Sequence, residues 1–293
     1  MPFNNQRAER QYTKEYNRLL TAIFNAENAW GEALQPIQIL DGVRENTIAF
    51  SVKTNATPVV IGTYNTGANV AFGTGTGNSN RFGPRTEIKY VNTDVPYTYN
   101  LSIHEGLDDF TVNEEMDFAI SERLEVQSQA QTRWMNTQIG TFISTNAGNP
   151  VTITAVDETN LITAFSALSA FFVNKEVFVP VDAFVDPSVY NELVKAELIT
   201  TNKNSTVNID EGSIEYSFGF RIIRTPVQYF ATGDVAYFIP RGIILPFVGI
   251  SAARAIASEE FLGTALQAAA KGGHYVSDEN ASVMSKVTVV AGP

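Results

Sequence analysis

The side chains able to do chemistry are few, and their spacing matches no catalytic pattern. The chain has two histidines, His104 and His274, and no cysteine. Absence of thiols removes disulfides, Fe–S clusters, thiolate zinc sites and cysteine nucleophiles together. Two histidines so far apart do not make a zinc-ligand spacing. His104 beside Glu105 offers an acid–base pair, but a strand end next to a solvated acidic turn accounts for it more simply. His274 follows Lys271-Gly272-Gly273 and reads as a turn residue. Serine, histidine and aspartate are all present without a G-x-S-x-G elbow. Residues 72–78 (FGTGTGN) are glycine-rich, yet no helix pattern follows and no Lys-Ser/Thr closes the motif. A phosphate cradle needs both, so this is a loop tip. Glu105, Asp108, Asp109, Glu114, Glu115 and Asp117 form an acidic cluster. It lacks the spacing of a calcium loop and reads as a solvated or partner-facing surface. No catalytic residue, cofactor or metal is expected.

The elements that carry these residues say more. The chain has 293 residues, 44% of them hydrophobic and 17% charged, with a net charge of −11. That suits one large domain or two modest ones with a real core. An acidic balance argues against a general nucleic-acid binder. The first residues, MPFNNQRAERQ, contain no apolar h-region, so no secretory signal is expected. Apolar-rich runs such as residues 243–250 are too short to span a bilayer.

Residues 1–20 carry Arg7, Arg10, Lys14 and Arg18 against Glu9 and Glu15, net +2 on an acidic chain. Tyr12, Tyr16, Leu19, Leu20 and Ile23 fall on one helical stripe. Residues 31–42 break that helix. Residues 47–53 (TIAFSVK) and 86–92 (TEIKYVN) read as paired strands, and 95–104 as a further strand. Between the first two lie residues 54–80, 27 positions without a charge. A connection that long is either a functional loop or is ordered from outside its own subunit.

Thr111 and Glu114 make a capping box, and Glu114, Glu115 and Asp117 crowd the turn that follows. Met116, Ile120, Leu124, Ala130 or Gln131, Trp134 and Phe142 then recur at a roughly helical period. This predicts a helix of about seven to nine turns, ending at residues 144–150. After Val151 the chain reads as an α/β module. Helices are expected at 161–172 and 186–198, and strands at 176–184, 218–224, 234–240 and 285–290. The polar segment 200–212 (TTNKNSTVNIDEG) is expected to be the module's most mobile loop, or to lie near a ring centre.

The order is a basic arm, a protruding hairpin, a long helix, an α/β module and a returning strand. With residues 233–242 (GDVAYFIPRG), 246–257 (PFVGISAARAIA) and 262–275 (LGTALQAAAKGGHY), it resembles the HK97-type major capsid proteins of tailed bacteriophages of Gram-positive hosts. The resemblance covers the whole chain, by layout in the first half and by sequence from about residue 150. It implies an α+β capsid fold with an N-terminal arm (1–45), an extended E-loop hairpin (46–93), a P-domain with a long spine helix (94–148), an A-domain (149–255) and P-domain return strands (256–293). It implies a virion protein, built in the host cytoplasm, that assembles with itself into hexamers and pentamers of an icosahedral head. Scaffold, portal and decoration proteins would be partners, packaged DNA the contents, and no membrane is involved. No cleavable extension ahead of the arm is expected, unlike in some relatives, and no Lys–Asn–Glu cross-linking set is located.

Charge sharpens the picture. Residues 42–93 are net +3 and residues 105–125 net −7. In the resembling fold one subunit's E-loop lies over the next subunit's spine helix. Arg81, Arg85 and Lys89 are therefore expected to face Glu105, Asp108, Asp109, Glu114, Glu115 and Asp117 of a neighbour. Two other classes stay open: an encapsulin-like compartment shell, and a carbohydrate-binding or adhesive phage protein suggested by the Thr/Asn/Tyr-rich loop.

Overall fold

The computed structural model describes residues 28–40, 48–55, 57–68, 70, 80–111, 116–199, 207–208 and 213–290. The helix expected at 12–23, the 72–78 tip, Glu114, Glu115 and most of the 200–212 loop lie outside the described residues. Strands β1 (Gln38–Ile39), β2 (Ile48–Thr54), β3 (Val91–Pro96) and β4 (Tyr99–Asp108) precede helix α1 (Met116–Asn146). Then come β5 (Asn149–Ile153), α2 (Glu158–Asn174), β6 (Val181–Val185), α3 (Pro187–Ile199), β7 (Val207–Asn208), β8 (Ser213–Ile214), β9 (Tyr216–Ser217) and β10 (Phe220–Arg224). The chain ends with β11 (Asp234–Pro240), β12 (Leu245–Ala257), β13 (Gly263–Tyr275), α4 (Asp278–Val283) and β14 (Ser285–Val289). Two compact units result: Glu45–Pro96, and Met1–Arg44 together with Tyr97–Pro293.

The larger unit holds two main sheets and the small antiparallel pair β7–β8. One has the order β5-β14-β11-β6-β10-β9. Its central strands β6 (VDAFV) and β11 (DVAYFIP) are buried at every residue, as strands covered on both faces must be. Ala183, Val185, Phe220 and Phe238 face α2 and α3, against Leu161, Phe165, Leu168, Val189 and Leu193. Phe184, Tyr237 and Ile239 face the other way, onto Ile139 and Ile143 of α1 and onto Trp30. Asp157 caps α2 by accepting from the Asn160 amide, and Asp186 caps α3 by accepting from the Val189 amide.

The second sheet has the order β1-β12-β13-β4. Its centre is the antiparallel pair β12 and β13, each 13 residues long. The run Ala268-Ala269-Ala270 has helical propensity, which hid this strand from the sequence. Pairing on both edges, to β12 and β4, overrides that preference. The small side chains also let α1 lie close, with Ile120 and Leu124 packed on Leu266, Ala268 and Ala253. Gly140 of α1 serves the same end: a β-carbon there would collide with the Tyr229 carbonyl oxygen.

Helix α1 has 31 residues, within the predicted length. The expected capping box includes Glu114, outside the described residues, and the Thr111 hydroxyl donates to the Asp108 carbonyl. Several expected boundaries move. The helix expected at 161–172 runs from Glu158 to Asn174, because Asp157 caps it three residues earlier. The strand expected at 86–92 begins only at Val91. The strand expected at 95–104 is two, broken at Tyr97-Thr98, and the second runs on to Asp108. The strand expected from Glu176 starts at Val181, because Glu176 takes a left-handed turn with φ 56. The strand expected from Phe218 starts at Phe220, because Phe218 (φ 51) and Gly219 (φ 88) form the turn out of β9.

Candidate assembly surfaces

The acidic cluster is sorted by strand geometry. Neighbouring residues on a strand point to opposite faces, so His104 and Glu105 do not pair. Glu105 turns toward α1, where its carboxylate accepts from Arg123 Nε and Nη2, each at 2.6 Å, and from Gln127 Nε2 at 2.6 Å. The Arg123 guanidinium holds the Glu105 carboxyl below the usual carboxylate range. Glu105 is therefore engaged within its own subunit. His104 lies mid-strand on the opposite face, 3.2 Å from Gln267 Nε2. Gln267 Oε1 already accepts from Arg254 Nε, so its amide donates to the imidazole.

Asp108 accepts from the Phe110 amide, closing the turn after β4. Asp109 and Asp117 are exposed. Phe110 (83% exposed) and Leu262 (62%) stand in the same tip, joined by the Asp109 amide donating to the Leu262 carbonyl. In the unit Glu45–Pro96, Arg81 donates to the Val70 carbonyl and lies over the Tyr64 ring at 5.9 Å. Arg85 is exposed, and Lys89 pairs with its own Glu87 at 3.5 Å. Within one chain Glu105 is thus held by Arg123, Lys89 by Glu87, Arg81 by Val70 and Tyr64, and Asp108 by its own turn, and none of these partners was among the expected contacts.

Two polar ties and one buried histidine escaped the sequence reading. Asp182, 1% exposed in central strand β6, receives a bidentate pair from Arg241 at 2.7 and 2.9 Å. Arg241 and Arg221 both reach Glu32, at 3.8 and 2.9 Å. This network pins the segment that carries Trp30, whose indole donates to the Asn136 carbonyl of α1 at 2.9 Å. Asp234 accepts from Ser144, Tyr237 and Thr288 and faces Lys286 at 3.6 Å. It ties the end of α1 to β11 and β14. The histidine is His274. It is no turn residue: it sits buried in β13, with ring centroids of Tyr99 and Phe142 at 5.8 and 5.5 Å. Burial pushes its pKa down to about 4. An Asp inside a hydrophobic run such as VDAFV was the available signal, since a buried carboxylate requires a partner.

No family model matches the chain, and no curated protein matches it in sequence. Solved structures do. The capsid of the cyanophage P-SCSP1u superposes with a TM-score of 0.65 at 13% identity, covering 87% of each chain. The mature capsid of bacteriophage PhiM1 gives 0.64 at 10% identity, covering 91% of this chain and 88% of that one. The chain has the phage capsid fold. It is the HK97-type fold that the sequence resemblance implied. A virus-like particle from Pyrococcus furiosus matches too, with a TM-score of 0.55 at 13% identity over 94% and 99% of the two chains. On this capsid fold, the exposed apolar residues of the unit Glu45–Pro96 gain a context: Val59, Val60, Ile61, Phe82, Ile88 and Tyr90 are all outside any core.

Proposed function

We propose that this chain is the major capsid protein of a tailed bacteriophage, assembling with itself into hexamers and pentamers of an icosahedral head that encloses double-stranded DNA. The observation that carries the reading is the likeness to phage capsid subunits over nearly the full length of both chains. In this reading the protein is structural rather than catalytic and resides in the virion after assembly in host cytoplasm. Residues 1–45 act as arm, 46–93 as E-loop, 94–148 and 256–293 as P-domain and 149–255 as A-domain, with 200–212 near the ring centre. Scaffold, portal and decoration proteins complete the particle. The net charge of −11 suits a container for a polyanion, because an acidic wall does not grip its contents.

Electron microscopy of the purified protein tests this. Closed icosahedral shells are expected. Dispersed subunits that bind a glycan array would overturn it in favour of the adhesive class, and shells loaded with an enzyme instead of DNA in favour of the compartment class.

The charge contact between neighbours belongs to the same reading. Arg81 and Arg85 of one subunit meet Asp108, Asp109 and Asp117 of the next, with Glu114 and Glu115 completing the acidic side. Glu105 is held by Arg123 and contributes less, and Lys89 shares its charge with Glu87. Each exposed pair is worth only about 0.2–1 kcal/mol, but the contact repeats around every ring. Replacing both arginines by Glu is expected to lower shell yield several-fold at low salt, where screening is least. The melting temperature of the isolated subunit should not move. Normal assembly of the double variant at low salt would remove this contact.

A further inference from the structure

We propose that the cleft beneath the β12–β13 turn binds an organic ammonium ion, carried by a free polyamine or by a lysine side chain of a partner protein. The site lies within one subunit, so it stands apart from the shell reading. Residues 258–262 fold back over the face of the sheet that points away from α1. Their own bonds hold the turn: the Ser258 amide donates to the Gly263 carbonyl, the Glu260 amide to Ser258 Oγ at 3.2 Å, and the Asp109 amide to the Leu262 carbonyl. Phe261 lies against Gly106, where a β-carbon would come within 2.5 Å of its ring. The overhang leaves a cleft of about 380 Å³, floored by His104 and Gln267 and walled by Ser258, Glu259, Glu260 and Phe261. At about 30 Å³ per water, it has room for roughly a dozen waters or a short chain of similar heavy-atom count.

The lining selects the charge and shape of the ligand. Glu259 and Glu260 are exposed, and neither forms an ion pair among the described residues. Among the described residues, no Lys or Arg lines the cleft. Arg254, on the same face, gives its Nε to Gln267 Oε1 at 2.8 Å, and the Glu105 carboxylate turns the other way, to Arg123. Gln267 Nε2 donates to His104 Nε2 at 3.2 Å, so the floor is polar and satisfied from within. An anion would meet two like charges. A metal ion fits poorly, because among the described residues no three His, Asp or Glu side chains stand close enough to hold one. An ammonium group can donate to both carboxylates and is drawn to the Phe261 ring. Ile256 and Ala265 offer apolar wall to a methylene stem behind it. Two acids, an aromatic ring and an aliphatic strip together describe an alkylammonium chain.

Calorimetric titration of the full chain at low salt tests this, with spermidine and, separately, with Nα-acetyl-lysine methylamide. At least one of the two is expected to saturate a single site. E259Q/E260Q should weaken that binding about tenfold, because two exposed charge contacts are lost. F261L should weaken it about threefold. E122Q/E125Q removes the same charge from the exposed side of α1 and should bind as the unaltered chain does. All four glutamates are exposed, so these variants should also melt as the unaltered chain does. The two histidines give a second reading. In proton NMR spectra the His104 ring signals should move with the ligand, and those of buried His274 should not. Tighter binding of spermidine assigns the cleft to a free polyamine, and tighter binding of the blocked lysine to a protein side chain. No saturable binding of either overturns the proposal. Equal weakening by E259Q/E260Q and E122Q/E125Q overturns it too, since that marks diffuse attraction to an acidic chain. So does a titration in which the His104 signals stay still.

Discussion

In the larger unit Trp30 is fully buried against Phe184, Phe230 and Tyr237. In the unit Glu45–Pro96 Ile61 is 93% exposed, and Val59 and Val60 beside it are nearly as bare. The polar groups divide likewise. Asp182 and Asp234 are surrounded by Arg241, Ser144, Tyr237, Thr288 and Lys286, while the Ser51–Asp94 bond across β2 and β3 lies in solvent. One region holds three buried apolar clusters and partners its enclosed carboxylates, leaving Phe110 and Leu262 bare at one tip. The other, among the described residues, is a two-stranded sheet with no buried cluster of its own, and such a sheet is marginal alone. On the proposed reading, the contrast separates what folds by itself from what meets a neighbour.

Substitutions can break that contrast. The largest effect is expected at Trp30→Ala, which should cost about 3–5 kcal/mol of subunit stability in chemical denaturation. A loss below 1 kcal/mol would mean the segment 28–34 is not part of the core. Acidification comes next. His274 in the unfolded chain binds its proton near the ordinary value of 6.5, but in the fold only near 4. The unfolded state therefore takes up the proton first, and stability falls as pH drops from about 6.5 towards 4. The full loss approaches about 3 kcal/mol. Denaturation curves at pH 7 and pH 4 should show it, and His274→Gln should reduce the pH dependence. Asp234→Asn should cost about 1–3 kcal/mol, since three hydroxyl donors and Lys286 lose their carboxylate. The smallest stability effect is expected at Ile61→Ser, within about 0.5 kcal/mol, yet this variant should lose shell yield. If Ile61→Ser destabilises the isolated subunit as Trp30→Ala does, the two regions are not different in kind.

How much of this was legible in the sequence varies with the kind of signal. The long helix and the helix opening at Asp186 could be read, because their signals are local, whereas the Asp157 cap was missed and α2 begins at Glu158 instead of the expected 161. Strand β11 could be read to the residue from DVAYFIP. The Ala-rich β13 could not, since its conformation comes from the partners on both sides. Burial of His274 was hidden for the same reason: K-G-G-H looks like a turn until Tyr99 and Phe142 close over it. The buried side of α1 was blurred by Gln127, Ser128, Thr132 and Asn136, polar residues that the fold nonetheless encloses. Of the expected contact residues, Glu105 shows the limit best. Composition marks it as part of an acidic surface, and only the β4–α1 packing gives it to Arg123.

Helix α1 touches both main sheets of the larger unit, through Ile120 and Leu124 at one end and Ile139 and Ile143 at the other. At 31 residues it is a rod about 46 Å long. Turning one sheet against the other would have to bend that rod or shear its contacts at Gly140, where the backbones already touch. Bending stiffness, rather than any single bond, then sets how far the subunit can flex. A wall built of such pieces would take up curvature at the joints between subunits and keep each tile rigid under the outward pressure of its contents.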